Sequence, residues 1–330
     1  MTSLSRRFKL HLLLVVCGMS LAIPALAQQT GLHPATPQMT SIPDFAAAVS
    51  RQIMTRFEGE KLRADEFAFT LLDLQNPQAP AVANYRADEP IYPASVVKLF
   101  YLAAAQNQLE NGPLGDTPEL RRALRDMIVD SNNDATALVL DMLTGTTGGP
   151  ELAAPELQIW SQKRNAVNRY FANLGFSGIN VNQKPWNEGP YGRERQFVGA
   201  NTENRNKLTT LGTARLMAQI AQKQWVSPAR SEQMLELLKR DPLEKDGGES
   251  QVVGFIGSAI RDIAGAKQWS KAGWTSTTRH DAAFVELPVS AQFPRGARFV
   301  LVIFTLNHAG NMQILPALAR SIIDKRFGSE

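Results

Sequence analysis

The stretch YPASVVKLFYLAAAQNQ, Tyr92 to Gln108, places Ser95 and Lys98 three residues apart in a mostly apolar run. Pro93 suits the first turn of a helix, where its missing N–H would have been unpaired anyway. The spacing therefore puts the hydroxyl and the amine on one face, one turn apart. A serine is a weak nucleophile until a base takes its proton, and a desolvated lysine has a pKa low enough to serve. Val96, Val97, Leu99, Phe100, Tyr101 and Leu102 supply the desolvation, and a helix N-terminus favours negative charge developing at the serine. Alone the pattern is weak, since a Ser-x-x-Lys arises by chance about once in a chain of this length.

The elements around the stretch are read from periodicity. Upstream, Phe45, Val49, Ile53 and Phe57 recur at helical spacing, and FAFTLLDL (67–74) and AVANYRA (81–87) alternate as strands across a Pro/Asn turn. Downstream, helices are predicted over 118–130, 135–143, 155–176, 209–222 and 229–241, and residues 176–208 are polar with little periodicity. Long loops of that kind inside a compact domain are usually functional or disordered. Three strands follow, WSKAGWT (269–275), DAAFVEL (281–287) and ARFVLVIFTLN (297–307), and a helix over 312–327 closes the chain. Two strands, a block of helices, then three strands imply a sheet built from both chain ends beside a helical insertion, placed at roughly 103–225.

Composition bounds the rest. Residues 1–27 carry Arg6, Arg7 and Lys9, an apolar run and an Ala-Leu-Ala ending, which reads as a cleaved export signal. Gly18, Ser20 and Pro24 interrupt the run, so it falls short of a bilayer span. The segment takes the sole cysteine, Cys17, and three basic residues, so 35 Lys and Arg fall to 32 against 31 Asp and Glu. The remaining chain has no thiol chemistry and no charge excess to attract nucleic acid or an anionic membrane. Residues 28–40 read as a flexible tether, and 41–330 as one domain of a soluble, exported protein, periplasmic or secreted, with a monomer expected. No Gly-x-Ser-x-Gly, His-Glu-x-x-His, phosphate loop or dinucleotide fingerprint occurs. His33, His280 and His308 lack metal spacing, and His280 reads as a loop residue. No cofactor is expected.

Two further patterns complete a constellation. Ser131-Asn132-Asn133 sits between two predicted helices, and alone it would be a helix cap. Lys271-Ala272-Gly273 begins a late strand. Ser-x-x-Lys, Ser-x-Asn and Lys-x-Gly, in this order and on these elements, resemble the penicillin-interacting serine hydrolases, and within them the class A β-lactamases, over residues 41–328. The resemblance implies an α/β (α+β) fold: a five-stranded antiparallel sheet flanked by helices, with an all-helical subdomain. It implies Ser95 as the acylated nucleophile, Lys98 as its base, Ser131 as proton donor to the leaving nitrogen, and Lys271 as electrostatic support. Asn133 would bind the substrate's amide, and the N–H groups of Ser95 and Trp274, beside Gly273, would form the oxyanion hole. The implied substrate is a β-lactam, hydrolysed through an acyl-enzyme, or alternatively a peptidoglycan stem peptide, as for a D,D-peptidase; a non-catalytic wall-binding relative is a third reading.

The chain departs from the family in three places. The glutamate that primes the deacylating water normally stands in Glu-x-x-Leu-Asn, which is absent. In KPWNEGPYGRERQFVGANTENRNK (184–207) both Glu188, just after Trp186, and Glu194 are candidates, and either could instead be ion-paired with Arg193 or Arg195. Ala272 replaces a hydroxyl residue that would bind the substrate carboxylate, leaving Thr275 or Arg279 to compensate. Residues 144–164 read as inserted, which should alter one wall of the pocket.

Overall fold

A computed structural model describes residues 39–186, 188–245 and 250–329. The export-signal reading, and the tether as far as residue 38, lie outside the described residues. The five strands expected from alternation are all present: β2 Phe67–Asp73, β3 Ala81–Tyr85, β5 Lys267–Trp274, β6 Thr278–Leu287 and β7 Ala297–Leu306. Two more make the sheet seven-stranded, correcting the expected five. These are β1 Thr40–Ser41 and β4 Lys239–Arg240, each only two residues long. The order is β1-β3-β2-β7-β6-β5-β4. β1 runs parallel to β3, so the sheet is not wholly antiparallel, and Thr40 belongs to it rather than to a tether. Two-residue edge strands carry too little pattern to be read from sequence.

The two chain ends meet at the centre, where β2 pairs antiparallel with β7 from Phe67↔Thr305 to Asp73↔Phe299. Both faces of the sheet are covered, so its strands are nearly continuous apolar runs. Phe67, Phe69, Leu71, Phe299, Leu301 and Ile303 point to a core shared with α1 (Phe45–Arg56), α10 (Ile256–Ile260) and α11 (Ile314–Phe327). Ala68, Leu72, Val300, Val302 and Phe304 point the other way, into a core shared with α2 (Val97–Asn111) and α8 (Thr210–Ala221).

The helical block comprises α2, α3 (Pro118–Ile128), α4 (Asn133–Thr144), α5 (Ala154–Arg164), α6 (Ala166–Asn173), α7 (Gly192–Val198), α8 and α9 (Pro228–Leu238), so it runs past residue 225. The helix expected over 155–176 is two, broken at Asn165, whose backbone leaves helical geometry (φ −79°, ψ 11°). α7 lies inside the 176–208 segment that shows little periodicity. α2 buries every residue from Val97 to Gln106, Lys98 included, which makes it the central helix of its core rather than an amphipathic surface helix.

Candidate active site

Pro93 opens a 3₁₀ turn over Ala94–Val96 that runs directly into α2, so Ser95 lies on the tight turn and Lys98 in the first turn of the helix. Ala94 has φ 46°, a left-handed conformation that costs a non-glycine residue about 1–2 kcal/mol. Such outliers persist where surrounding contacts over-determine them, often at functional sites. One such contact is β5. A Cβ on Gly273 would lie 2.7 Å from Ser95 N, 2.8 Å from Pro93 O and 2.8 Å from Val96 N, so only glycine lets the strand approach this turn. Ser95 is half-buried, and its hydroxyl makes no hydrogen bond among the described residues.

Ser131 also has positive φ, 54°. Asn132 caps α4, its Oδ1 accepting the Ala135 N–H at 2.8 Å. The cap reading of Ser-Asn-Asn is therefore right for the middle residue, and it turns the flanking two toward the lysines. Lys98 Nζ donates to the Ser131 carbonyl and to Asn133 Oδ1 at 2.8 Å, and lies 3.3 Å from Ser131 Oγ. Lys271 Nζ lies 3.0 Å from the same hydroxyl and donates to Gln251 Oε1 and, at 2.7 Å, to the Ala272 carbonyl. One hydroxyl thus bridges two buried amines. Gln251 is fixed in turn by donating to the Ile128 and Val129 carbonyls at 3.1 and 2.8 Å.

Burial governs the charges here. Desolvation brings Lys98 down to about 7. Lys271, also fully buried, is pushed well below the usual lysine range by desolvation first and then by the nearby positive charges of Lys98 and Arg240. Asp281 is the acidic counterweight. It is buried, pushed up to about 7 by desolvation, and held by the Ile256 N–H at 3.0 Å, while its Oδ1 has no partner among the described residues. Gln251, Asp281 and Arg240 belong to no motif; an acid opening the apolar run DAAFVEL was the one trace in the sequence.

His280 is not a loop residue but a buried residue of β6. Its Nδ1 accepts the Thr305 N–H at 3.1 Å, so Nε2 carries the proton and donates to the Tyr92 carbonyl at 3.0 Å. Burial lowers it to about 4, which keeps it neutral, and it anchors the segment leading to Ser95.

The remaining sequence candidates are not drawn into this cluster. Glu194 is held bidentate by Arg164 (2.7 and 3.1 Å) and lies 3.3 Å from Lys184 Nζ, both of which also hold Asp141. Its partners are thus Arg164 and Lys184 rather than Arg193 or Arg195. Glu188 is exposed and makes no hydrogen bond or ion pair among the described residues. The Thr275 hydroxyl is spent inside the β5–β6 turn, on the Thr277 and Thr278 N–H groups at 3.2 Å each and on the Thr278 hydroxyl at 3.0 Å. Arg279 donates Nε to the Ala309 carbonyl at 3.2 Å and lies 4.7 Å over the Phe255 ring, beside Trp274. No cluster of metal-ligating side chains occurs among the described residues, and no helix among them is long and apolar enough to cross a membrane.

The model of the β-lactamase enzyme family matches residues 113–325, and the chain belongs to that family, within the penicillin-interacting serine hydrolases. The match begins after Ser95 and Lys98, so the nucleophile assignment rests on their geometry. No curated protein matches the sequence. Among solved structures, a β-lactamase from Sphaerobacter thermophilus is similar at TM-score 0.60 and 16% identity, over 86% of this chain and 97% of that one. PBP-A is similar at 0.59 and 16%, over 88% and 98%. A β-lactamase from Chitinophaga pinensis is similar at 0.57 and 17%, over 84% and 98%. At these identities the likeness is one of fold.

Proposed function

We propose that the protein is an exported serine hydrolase acylated by β-lactams at Ser95, releasing the acyl group slowly. The observation that carries this reading is the Ser131 hydroxyl standing between the amines of Lys98 and Lys271, with Lys98 one turn along from Ser95, whose hydroxyl makes no hydrogen bond among the described residues. A neutral Lys98 amine accepts the Ser95 proton as Oγ bonds to the lactam carbonyl. The oxyanion is met by the N–H groups of Ser95 and Trp274. As the C–N bond breaks, Ser131 gives its proton to the departing nitrogen and is refilled from Lys98; Lys271 supports the substrate carboxylate beside it. Asn133 serves the acyl amide. None of these steps calls for a cofactor.

Slow release follows from Glu194, whose carboxylate is spent on Arg164 and Lys184 and is not available to activate water. The natural counterpart of a β-lactam in this chemistry is a peptidoglycan stem peptide ending in a D-amino acid. A second reading, rapid β-lactam hydrolysis, is favoured by Glu188, which stands exposed on the same loop and makes no ion pair among the described residues. Stopped-flow assay with a chromogenic cephalosporin separates them. A burst of about one equivalent followed by slow turnover is expected; linear turnover with no burst supports the second reading, and no colour change at all overturns both.

A further inference from the structure

Arg205 is half-buried on the loop segment that docks beside Tyr92. Arg164 holds two carboxylates, and Arg240 finds three backbone carbonyls. Arg205 makes no side-chain hydrogen bond or ion pair among the described residues, and its Nε is buried without an acceptor. Unsatisfied buried donors are uncommon and call for an explanation. Its carbon Cζ lies 3.5 Å from the centroid of the Tyr92 ring and 5.8 Å from that of Trp186, so two aromatic faces fix the plane of the fork. Stacking of this kind pre-orients the donors of an arginine for a carboxylate.

Its place in the chain ties this fork to the nucleophile. Leu208 exchanges both backbone hydrogen bonds with Ile91, at 2.8 Å each, which docks the 205–208 segment beside Ile91 and Tyr92. Tyr92 is anchored from β6 by His280 and leads through Pro93 and Ala94 into Ser95. Arg205 therefore belongs to the flank contributed by the 184–207 loop, whereas Lys271, Gln251 and Gly273 belong to the flank contributed by β5 and the segment before it.

We infer that Arg205, held between Tyr92 and Trp186, is a specificity residue that selects acyl groups bearing a carboxylate on the acyl side of the scissile amide. The inference rests on the acylation proposed above. Lys271, buried behind Ser131, acts on the carboxylate that every penicillin carries on its ring system only through its charge; Arg205 meets a second carboxylate, on the acyl side chain.

Benzylpenicillin and carbenicillin test this directly, because they differ by one side-chain carboxylate. The second-order rate of Ser95 acylation by each is measured by intact mass spectrometry on the full chain, with thermal melts of every variant. In the wild type carbenicillin is expected to acylate at least as fast as benzylpenicillin. In Arg205→Gln the ratio of carbenicillin to benzylpenicillin rates should fall about tenfold or more, the range expected for losing a hydrogen-bonded charge pair. Arg205→Lys keeps the charge without the planar fork and should fall between. A ratio within threefold of wild type in Arg205→Gln overturns the inference, even if both rates drop together through loop damage. Absence of acylation by either penicillin in the wild type overturns the function itself, a distinct result.

Discussion

Burying a lysine amine beside a second one is costly, and the cost has a pH signature. In the unfolded chain Lys98 keeps its proton to about pH 10.5, while in the fold burial brings it to about 7. Between those values the unfolded chain binds the extra proton, so the group's contribution to stability rises with pH from about 7 to 10.5, and below about 7 its full cost is present. Lys98→Met should therefore be more stable than the wild type, with the largest gain in melting temperature below about pH 7 and a shrinking gain as pH rises toward 10.5. The same substitution should slow acylation by about 10²–10⁴, the usual worth of a positioned base. In the wild type the acylation rate should climb through an apparent pKa near 7, the value to which burial brings Lys98. A pH–rate profile together with melts of both proteins across pH 6–10 checks both statements. The pairing of Ser95 with Lys98 was legible from their spacing. The bridge through Ser131 was not, because it joins residues from α2, the α3–α4 junction and β5, distant in sequence.

The insertion and the loop hold each other. Arg164, at the end of α5, is fully buried; it pairs with Asp141 of α4 and Glu194 of α7, and its guanidinium lies 4.5 Å over the Trp160 ring. Gln196 seals the contact by exchanging two hydrogen bonds with the backbone of Leu152, at 2.8 and 3.1 Å. The neck of the loop is tied by asparagine: Asn206 Oδ1 accepts the N–H groups of Asn182 and Gln183 at 3.0 Å each, and Asn180 Nδ2 donates to the carbonyls of Asn204 and Arg205. Polar side chains replace periodic apolar ones as the organising force here, which is why residues 176–208 read as featureless in sequence and why α7 was invisible. The sequence marked 144–164 as an insertion; that it grips the loop through the Arg164–Glu194 pair was not legible. Glu194→Gln should lower stability by about 2–3 kcal/mol, since it leaves the buried Arg164, and Lys184, facing one part-buried carboxylate instead of two. It should leave the lifetime of the acyl-enzyme within about threefold of wild type, whereas removal of a deacylating base would lengthen it by about 10²-fold or more. Melts and acyl-enzyme decay followed by mass spectrometry distinguish the two roles.

At the scale of the molecule, the site lies where a sheet closed by both chain ends meets a helical block. β2 and β7 come from opposite ends of the chain, and Gly273 on β5 abuts the turn that opens α2. The layout was legible because each long strand announces itself by β-branched and aromatic runs and each helix by its period. What escaped were the two-residue strands, the five-residue α10, and the break at Asn165, all too short to show a repeat. The three motifs are ordinary one by one; folding brings Ser95, Lys98, Ser131, Asn133, Lys271 and Gly273 together from three segments. The central claim is that this meeting makes Ser95 an acylated nucleophile. Intact-mass spectrometry of the wild type and of Ser95→Ala after brief exposure to benzylpenicillin, followed by peptide mapping, tests it most directly. The wild type should gain the mass of one penicilloyl group, mapped to Ser95 and persisting for minutes or longer, and Ser95→Ala, with an unchanged melt, should gain none. An adduct that survives in Ser95→Ala, or maps to another residue in the wild type, would contradict the account.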